Sequence, residues 1–408
     1  MPFKQHGRQY DLVVLGATGY TGRFVAEHVA GHLPTNLKWA VAGRSEAKLQ
    51  AIIEECAKIN ADRLPPSIEI ANVDSVAELQ ALAEKAFVVI TTVGPYCMYG
   101  EKVFKACADS GTHYLDCTGE TPWHRGHHAS PDWRRVGAPD LCTWALARFL
   151  RAKLDAPTSD VVISLHNLSS APSGGTLATV LSIFDYFSLD ELRASSKPYA
   201  SSPIPHPEKA RPTPTLLQRW LGVCNVPNLG VLTTSIAGRT DVPVVERSWG
   251  LLSQIPSRKD QFYGPRFNWV EYYKPRNWLH GILVHLGLVF GTAMLALFPP
   301  VRTLVKRFVY QPGEGRTKEE MAKEEIEYRG VATPDTPTAA GKQAYCRAWF
   351  HGSMYYLTAV FLAQGALTLL EDDVELEGGV YTPACLGQGF VDRANTAGFK
   401  IDVKMIQN

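Results

Sequence analysis

The sequence predicts an α/β fold: a doubly wound parallel sheet joined to a second, α+β domain that carries a hydrophobic segment. Three observations predict it. The first 120 residues alternate apolar runs with amphipathic stretches, the pattern of buried parallel strands covered by helices on both faces. Gly16, Gly19 and Gly22 stand at the mouth of the first apolar run, in "DLVVLGATGYTG". With 408 residues, 45% of them apolar and 20% charged, the chain is globular in composition and too long for one ordinary core.

The elements follow in order. "YDLVVLG" reads as a strand and "GRFVAEHVAGHL" as a helix; "KWAVAGR" and "AKLQAIIEECAKI" repeat the unit, as do "SIEIANVD" and "VAELQALAEKA". "FVVITTVGPY" is a fourth strand, "GEKVFKACADSG" a helix and "THYLDCTGE" a fifth strand. Right-handed crossovers then place helices on both sheet faces. After Glu120 the pattern weakens, and "TPWHRGHHASPDWRRVGAPDL" shows no clear element. "TWALARFLRAKL" reads as a helix, "SDVVISLHNL" as a strand and "GGTLATVLSIFDYF" as a helix. Residues 195–215, rich in Pro and Ser, read as a loop. "NVPNLGVLTTSIAGRTDVPVVERSWGLL" reads as β structure with turns, and the Glu/Lys run in "YQPGEGRTKEEMAKEEIEYRG" as a solvated helix face. "AYCRAWFHG" should be a strand and "MYYLTAVFLAQGALTLL" a long core helix.

The glycines have separate physical tasks. Gly16 makes the tight strand-to-helix turn, Gly19 lets backbone approach a diphosphate, and Gly22 lets the helix pack hard on the strand. The helix N-terminus then offers unpaired N–H groups and its positive dipole end to phosphate, with the Thr18 and Thr21 hydroxyls alongside. This is a Rossmann-type dinucleotide site. The second strand ends in "AGRS", where an NAD enzyme usually carries an acid to hold the ribose 2′-hydroxyl. Arg44 there suits a 2′-phosphate, with Ser45 as a further donor or as a helix cap, and so points to NADP(H).

Other strand ends should line the same crevice. Asp74 is placed to meet adenine, while Val93 and Gly94 of "TTVGPY" are placed beside the nicotinamide ribose. Tyr96 and Asp116 are the candidate proton donors, with packing an equal reading for Tyr96; Thr118 and Glu120 share the strand-five end. The three histidines of "HRGHH" lack the spacing of a zinc site, so no metal is expected. "PSGG" is not a nucleophile elbow. Cys97 and Cys117, with no base beside them, read as structural thiols.

Bulk properties exclude other classes. Lys and Arg number 41 against 40 for Asp and Glu, so charge gives no argument for nucleic acid. Eight scattered cysteines without a CxxC pair fit a reducing compartment. The start, "MPFKQHGRQYD", lacks the apolar core of a signal peptide. An intracellular location, cytoplasmic or associated with a membrane or lipid droplet, is expected. From Trp278 to Phe298 there is no Asp, Glu, Lys or Arg. At 1.5 Å per residue that is long enough to cross roughly 30 Å of hydrocarbon, and equally to lie on a membrane or be buried.

Several blocks together resemble the saccharopine dehydrogenase-like oxidoreductases, a group that includes trans-acting enoyl reductases: "VVLGATGYTG", "VAGRS", "TTVGPY", "ACADSGTHYLDCTGE", "LSSAPSGGTLATVLSI" and "GGVYTPACLGQGFVDRANTAGFKI". The resemblance implies a Rossmann domain over residues 1–145, a substrate domain over 146–370 with the hydrophobic segment at 278–298, and a tail over 371–408 that returns to the cleft. It supports Gly16, Thr18, Gly19, Tyr20, Thr21, Gly22, Arg44 and Ser45 as cofactor contacts. It implies an NADP(H)-dependent enzyme that reduces a C=C or C=O bond of a lipid- or polyketide-like substrate, free or carrier-bound; a homodimer is one partner state the chain could adopt. A non-catalytic membrane or lipid-droplet protein and a saccharopine-type amino-acid dehydrogenase are the alternatives. After "GETPW" the family continues into a sixth strand, and about 25–30 residues of that block are missing here, which would leave an edge uncovered.

Overall fold

The computed structural model describes residues 2–126, 133–134, 137–170, 172–207, 215–308 and 314–407. Nine elements build the first sheet and its covering helices: β1 (Tyr10–Leu15), α1 (Tyr20–His32), β2 (Trp39–Gly43), α2 (Glu46–Ile59), β3 (Ser67–Ile70), α3 (Val76–Lys85), β4 (Ala86–Thr91), α4 (Tyr96–Asp109) and β5 (His113–Leu115). All its ladders are parallel and the order is β3-β2-β1-β4-β5. Alternation along β1 explains the two covered faces: Leu12 and Val14 enter one apolar core with α1 and α2, and Val13 and Leu15 enter the other with α3 and α4. Chain order reverses between β1 and β4, and the crevice at their carboxyl ends is where such sheets bind ligands.

The chain continues through α5 (Thr121–Gly126), β6 (Trp133–Arg134), α6 (Ala138–Leu154), β7 (Thr158–Leu168), α7 (Gly174–Tyr186), α8 (Leu189–Ser195), α9 (Leu216–Leu221), β8 (Val223–Val226), β9 (Gly230–Thr234), α10 (Gly238–Gln254) and β10 (Asn268–Tyr273). It ends with α11 (Trp278–Leu297), α12 (Pro299–Phe308), α13 (Lys318–Met321), β11 (Glu325–Pro334), β12 (Lys342–His351), α14 (Met354–Glu371), β13 (Val380–Tyr381), α15 (Gln388–Thr396) and β14 (Lys400–Gln407). A seven-stranded sheet orders these as β14-β12-β11-β7-β10-β9-β8. It is antiparallel except where β7 and β10 run side by side.

Two segments differ from the sequence expectation. Residues 238–254 form a helix, not β structure, although Pro243 lies inside it. Burial decides the matter: Val244, Val245, Trp249 and Leu252 sit on its inner side, and the Trp249 indole donates to Gly264 O at 2.7 Å. The Glu/Lys run gives only the single turn α13, closed by a Thr317–Glu320 capping box. From Glu325 the period changes to two, with Ile326 and Tyr328 facing inward.

The two domains interlock. α14, expected within the substrate domain, packs along α1 and β4, and one apolar core runs from β1 through α14 to α6 and β7. Buried in that seam, His28 and Gln364 pair at 3.1 Å and His32 stacks on His28 at 4.4 Å. Residues 371–408 go mainly to the second domain. β13 pairs with β6 as a separate parallel ladder next to β5, and β14 forms the outer edge beside β12. The β6 ladder thus stands beside the edge that the shortened block would leave open, and Val380 of the tail enters the core with Tyr96, Tyr114 and Trp123.

α4 is capped from a distance. Glu120, fully buried, accepts from the Tyr96 and Cys97 backbone N–H groups, both at 2.7 Å. Truncation by Glu120→Ala should cost about 2–3 kcal/mol, read as a lower midpoint in urea unfolding. A second prediction concerns pH. Burial, with His32 alongside, pushes His28 from its ordinary 6.5 down to about 3. The unfolded chain therefore binds a proton that the folded chain excludes. Stability attributable to His28 is complete above pH 6.5 and falls by about 1.4 kcal/mol per unit as pH drops below it. His28→Leu should flatten the stability difference between pH 7 and pH 5.

Candidate active site

The β1–α1 turn is built around missing side chains. Gly16 has φ +84°, and a Cβ there would meet Val93 Cγ2 at 2.7 Å. A Cβ on Gly22 would lie 2.1 Å from Gly16 O and 2.7 Å from Thr92 Oγ1. No residue but glycine fits, because the first turn of α1 lies directly on the crossing backbone. Gly19 is the N-cap of α1 and supplies no side-chain cap, so the first N–H groups of a 13-residue helix face the crevice unpaired by any cap. Thr18, Tyr20 and Thr21 are half-buried around them. The cradle fits a dinucleotide pyrophosphate.

The neighbouring strand ends complete the rim. Arg44, exposed just past β2, makes no ion pair among the described residues, and Ser45 is the N-cap of α2 without donating or accepting a cap bond. Asp74 is exposed past β3, with Lys102 Nζ 3.8 Å from its carboxylate. Val93 and Gly94 lie past β4, and α7 closes the crevice from the second domain: Thr179 Oγ1 lies 3.5 Å from a Cβ built on Gly94. The structure thus gathers Gly16 to Gly22, Arg44, Ser45, Asp74, Val93 and Gly94 along one rim.

The candidate acids lie behind this rim, with the Tyr96 ring 3.6 Å from a Cβ built on Gly94. Tyr96 is buried; its hydroxyl donates to Thr91 O at 3.0 Å and lies 3.3 Å from Cys117 Sγ. Burial, with Cys117 and Asp116 beside it, holds the phenol well above its ordinary range. Asp116 is fully buried and accepts from Thr118 N at 3.1 Å, while Thr118 Oγ1 accepts from Glu120 N at 3.1 Å. The strand-five end is therefore a chain of local turns that positions the Glu120 cap. Cys97 is pushed up to about 12 by burial and by Glu120, which removes it as a nucleophile.

Tyr20 departs from a simple coenzyme contact. Its hydroxyl donates to Arg316 O at 2.9 Å, its ring packs edge-on against Tyr355 at 5.1 Å, and Gly315 passes so close that a Cβ would fall 2.3 Å from the ring. Tyr355 in turn accepts from Ser173 N at 2.5 Å and pairs with Thr176 Oγ1 at 2.9 Å. Residues 314–316, Tyr355 and the start of α7 thus form the wall facing the glycine turn. Sequence reading did not find them; the one available signal was the helix-starting "PSGG". Among the described residues no cluster of His, Cys, Asp and Glu could hold a metal, and His127 and His128 lie outside the described residues.

Comparison with known proteins agrees with this geometry. Residues 12–134 match the saccharopine dehydrogenase NADP-binding domain family. The trans-acting enoyl reductase of Mycobacterium bovis is 31% identical over 432 positions, covering 96% of this chain and 97% of that protein. That alignment is longer than this chain, so the relative carries residues absent here. The saccharopine dehydrogenase-like oxidoreductase of Bos taurus is 28% identical, with 97% of both chains covered. Saccharopine dehydrogenase (L-Glu forming) of Saccharomyces cerevisiae shares the fold at TM-score 0.51 and 12% identity, over 97% of this chain and 99% of that one. A glycine cradle for NADP(H), a second α/β domain and end-to-end similarity to these relatives together make the chain a member of the saccharopine dehydrogenase-like oxidoreductase family.

Proposed function

We propose that this oxidoreductase uses NADPH to reduce a C=C or C=O bond of a lipid- or polyketide-like substrate, as its relatives named trans-acting enoyl reductases suggest. The observation that carries the reading is the open N-terminus of α1 beside a free Arg44, joined to the α7 side of the substrate wall; Arg316 on the same wall is paired with Glu324 at 2.9 Å. α7, "GGTLATVLSIFDY", contains no Lys or Arg and presents half-buried Thr176 and Thr179 and exposed Val180. Such a surface suits an acyl chain better than the charged amino acids of a saccharopine-type reaction.

When bound, NADPH supplies the hydride. The protein's own contributions are separate. The α1 N–H groups would hold the pyrophosphate, and Arg44 would hold the 2′-phosphate through charge-assisted bonds. The Gly94 backbone and Thr179 would line the passage between coenzyme and substrate, with the Thr176 hydroxyl, paired to Tyr355, available to orient the substrate oxygen. With Tyr96 and Asp116 enclosed, water entering the cleft delivers the proton to the product.

Fluorescence titration tests the coenzyme half. Arg44→Ala should weaken NADPH about 10- to 100-fold and leave NADH within about twofold; equal effects on both would defeat the assignment. Gly22→Val should abolish binding of either coenzyme. With enoyl thioesters as trial substrates, Tyr96→Phe should keep kcat within about threefold, whereas a loss of 100-fold or more would make Tyr96 a proton donor.

A further inference from the structure

We infer that the outer face of the seven-stranded sheet carries an anion site, built by Ser164, His166, Lys274, Arg329 and Arg347, that takes a phosphate dianion. Register brings these residues together. Tyr272 of β10, Ser164 of β7, Arg329 of β11 and Arg347 of β12 stand opposite one another across four adjacent strands, and opposed residues share a face. Lys274 follows two residues after Tyr272 and so points the same way. His166 is the unpaired residue of β7 at the bulge beside Glu327. The other face of these strands, with Ile163, Leu165, Ile326 and Tyr328, joins α6, α14 and β1 in the shared core. The site therefore looks away from the coenzyme turn.

The charges on this face do not balance. Like charges directly opposite across a ladder destabilise a sheet, yet Arg329 faces Arg347. Glu327 offsets part of this: its oxygens accept from Arg329 Nε at 2.5 Å and from Arg347 Nη2 at 2.8 Å. Lys274 Nζ donates to the Leu229 carbonyl at 2.8 Å, which is a dipole and not a charge. Among the described residues, three cations thus share one carboxylate. Farther out on the same face, Asp402 offsets Lys404 and Glu325 offsets Lys400. An excess of two positive charges remains. Its effect is visible on the neighbours: burial and the charge of Arg329 push His166 down to about 4, and the same two causes lower Lys274.

Ser164 marks where the occupant belongs. Its side chain is 0% exposed and its Oγ has no hydrogen-bond partner, and the buried Nδ1 of His166 has none either. Leaving a buried hydroxyl unpaired is costly, and an acceptor held beside Arg329 would satisfy it. The Arg329 and Arg347 side chains keep 34% and 44% exposure, so that acceptor enters from solvent. Donors rising from β7, β10, β11 and β12 approach from several sides, which suits a tetrahedral oxyanion better than a planar carboxylate. The excess of two charges matches a phosphate dianion, free or as a monoester.

Calorimetric titration of the full chain saturated with NADPH, so that the coenzyme cradle is filled, tests the inference. At constant ionic strength in chloride, inorganic phosphate should still bind. Phenyl phosphate separates the two sources: equal or tighter binding supports the site with a monoester as its ligand, and weaker binding supports it with the free ion. Arg329→Gln should weaken phosphate about tenfold or more and Ser164→Ala about three- to tenfold, both keeping NADPH affinity within about twofold of the parent. If Arg329→Gln loses NADPH binding as well, Ser164→Ala, which alters no charge, decides alone. Followed by NMR, His166 should titrate about one pH unit higher in phosphate than in chloride. No phosphate binding by the NADPH-saturated parent, or binding that Ser164→Ala leaves unchanged and Arg44→Ala removes, would overturn the site.

Discussion

Everything at the coenzyme end depends on one backbone contact. The first turn of α1 rests on the carbonyl of Gly16 at a distance that tolerates only hydrogen at Gly22. Because the helix sits that low, its N-terminal N–H groups open into the crevice between β1 and β4, and Arg44 and Gly94 fall on the same rim. A side chain at Gly22 would lift the helix, and with it the face of α1 on which α14 and the His28–Gln364 pair are packed. Coenzyme recognition and domain docking are thus two results of the same close approach.

Much of this was legible in the sequence. Strand–helix alternation, the glycine spacing and Arg44 gave the parallel sheet, the turn and the choice of coenzyme, because each rests on local periodicity or on a residue with one physical use. What was not legible depends on distant partners. At the strand-five end Asp116 reads as a proton donor from its place after the strand, while the structure engages Asp116 and Thr118 in local turns and Glu120 in capping α4. Nothing local distinguishes a carboxylate that faces a cleft from one that faces a helix end. Residues 238–254 misled for the same reason: their Val and Thr content favours strands and Pro243 disfavours a helix interior, and tertiary burial overrides both.

α7 links the cleft to α12. Near its start it stands against the coenzyme rim through Thr179 and against Tyr355 through Thr176, and at its far end Asp185 holds α12. One helix therefore carries both the wall of the cleft and the anchor of α12.

The placement of α14 has a consequence for how the chain acquires its structure. This late segment covers a face of the sheet made by the earliest residues. The coenzyme module is therefore not an autonomous folding unit, although it is contiguous in sequence. During synthesis the part of that face over β4 and β5 must wait uncovered until more than 350 residues have emerged, and that interval is when the nascent chain is most exposed to aggregation.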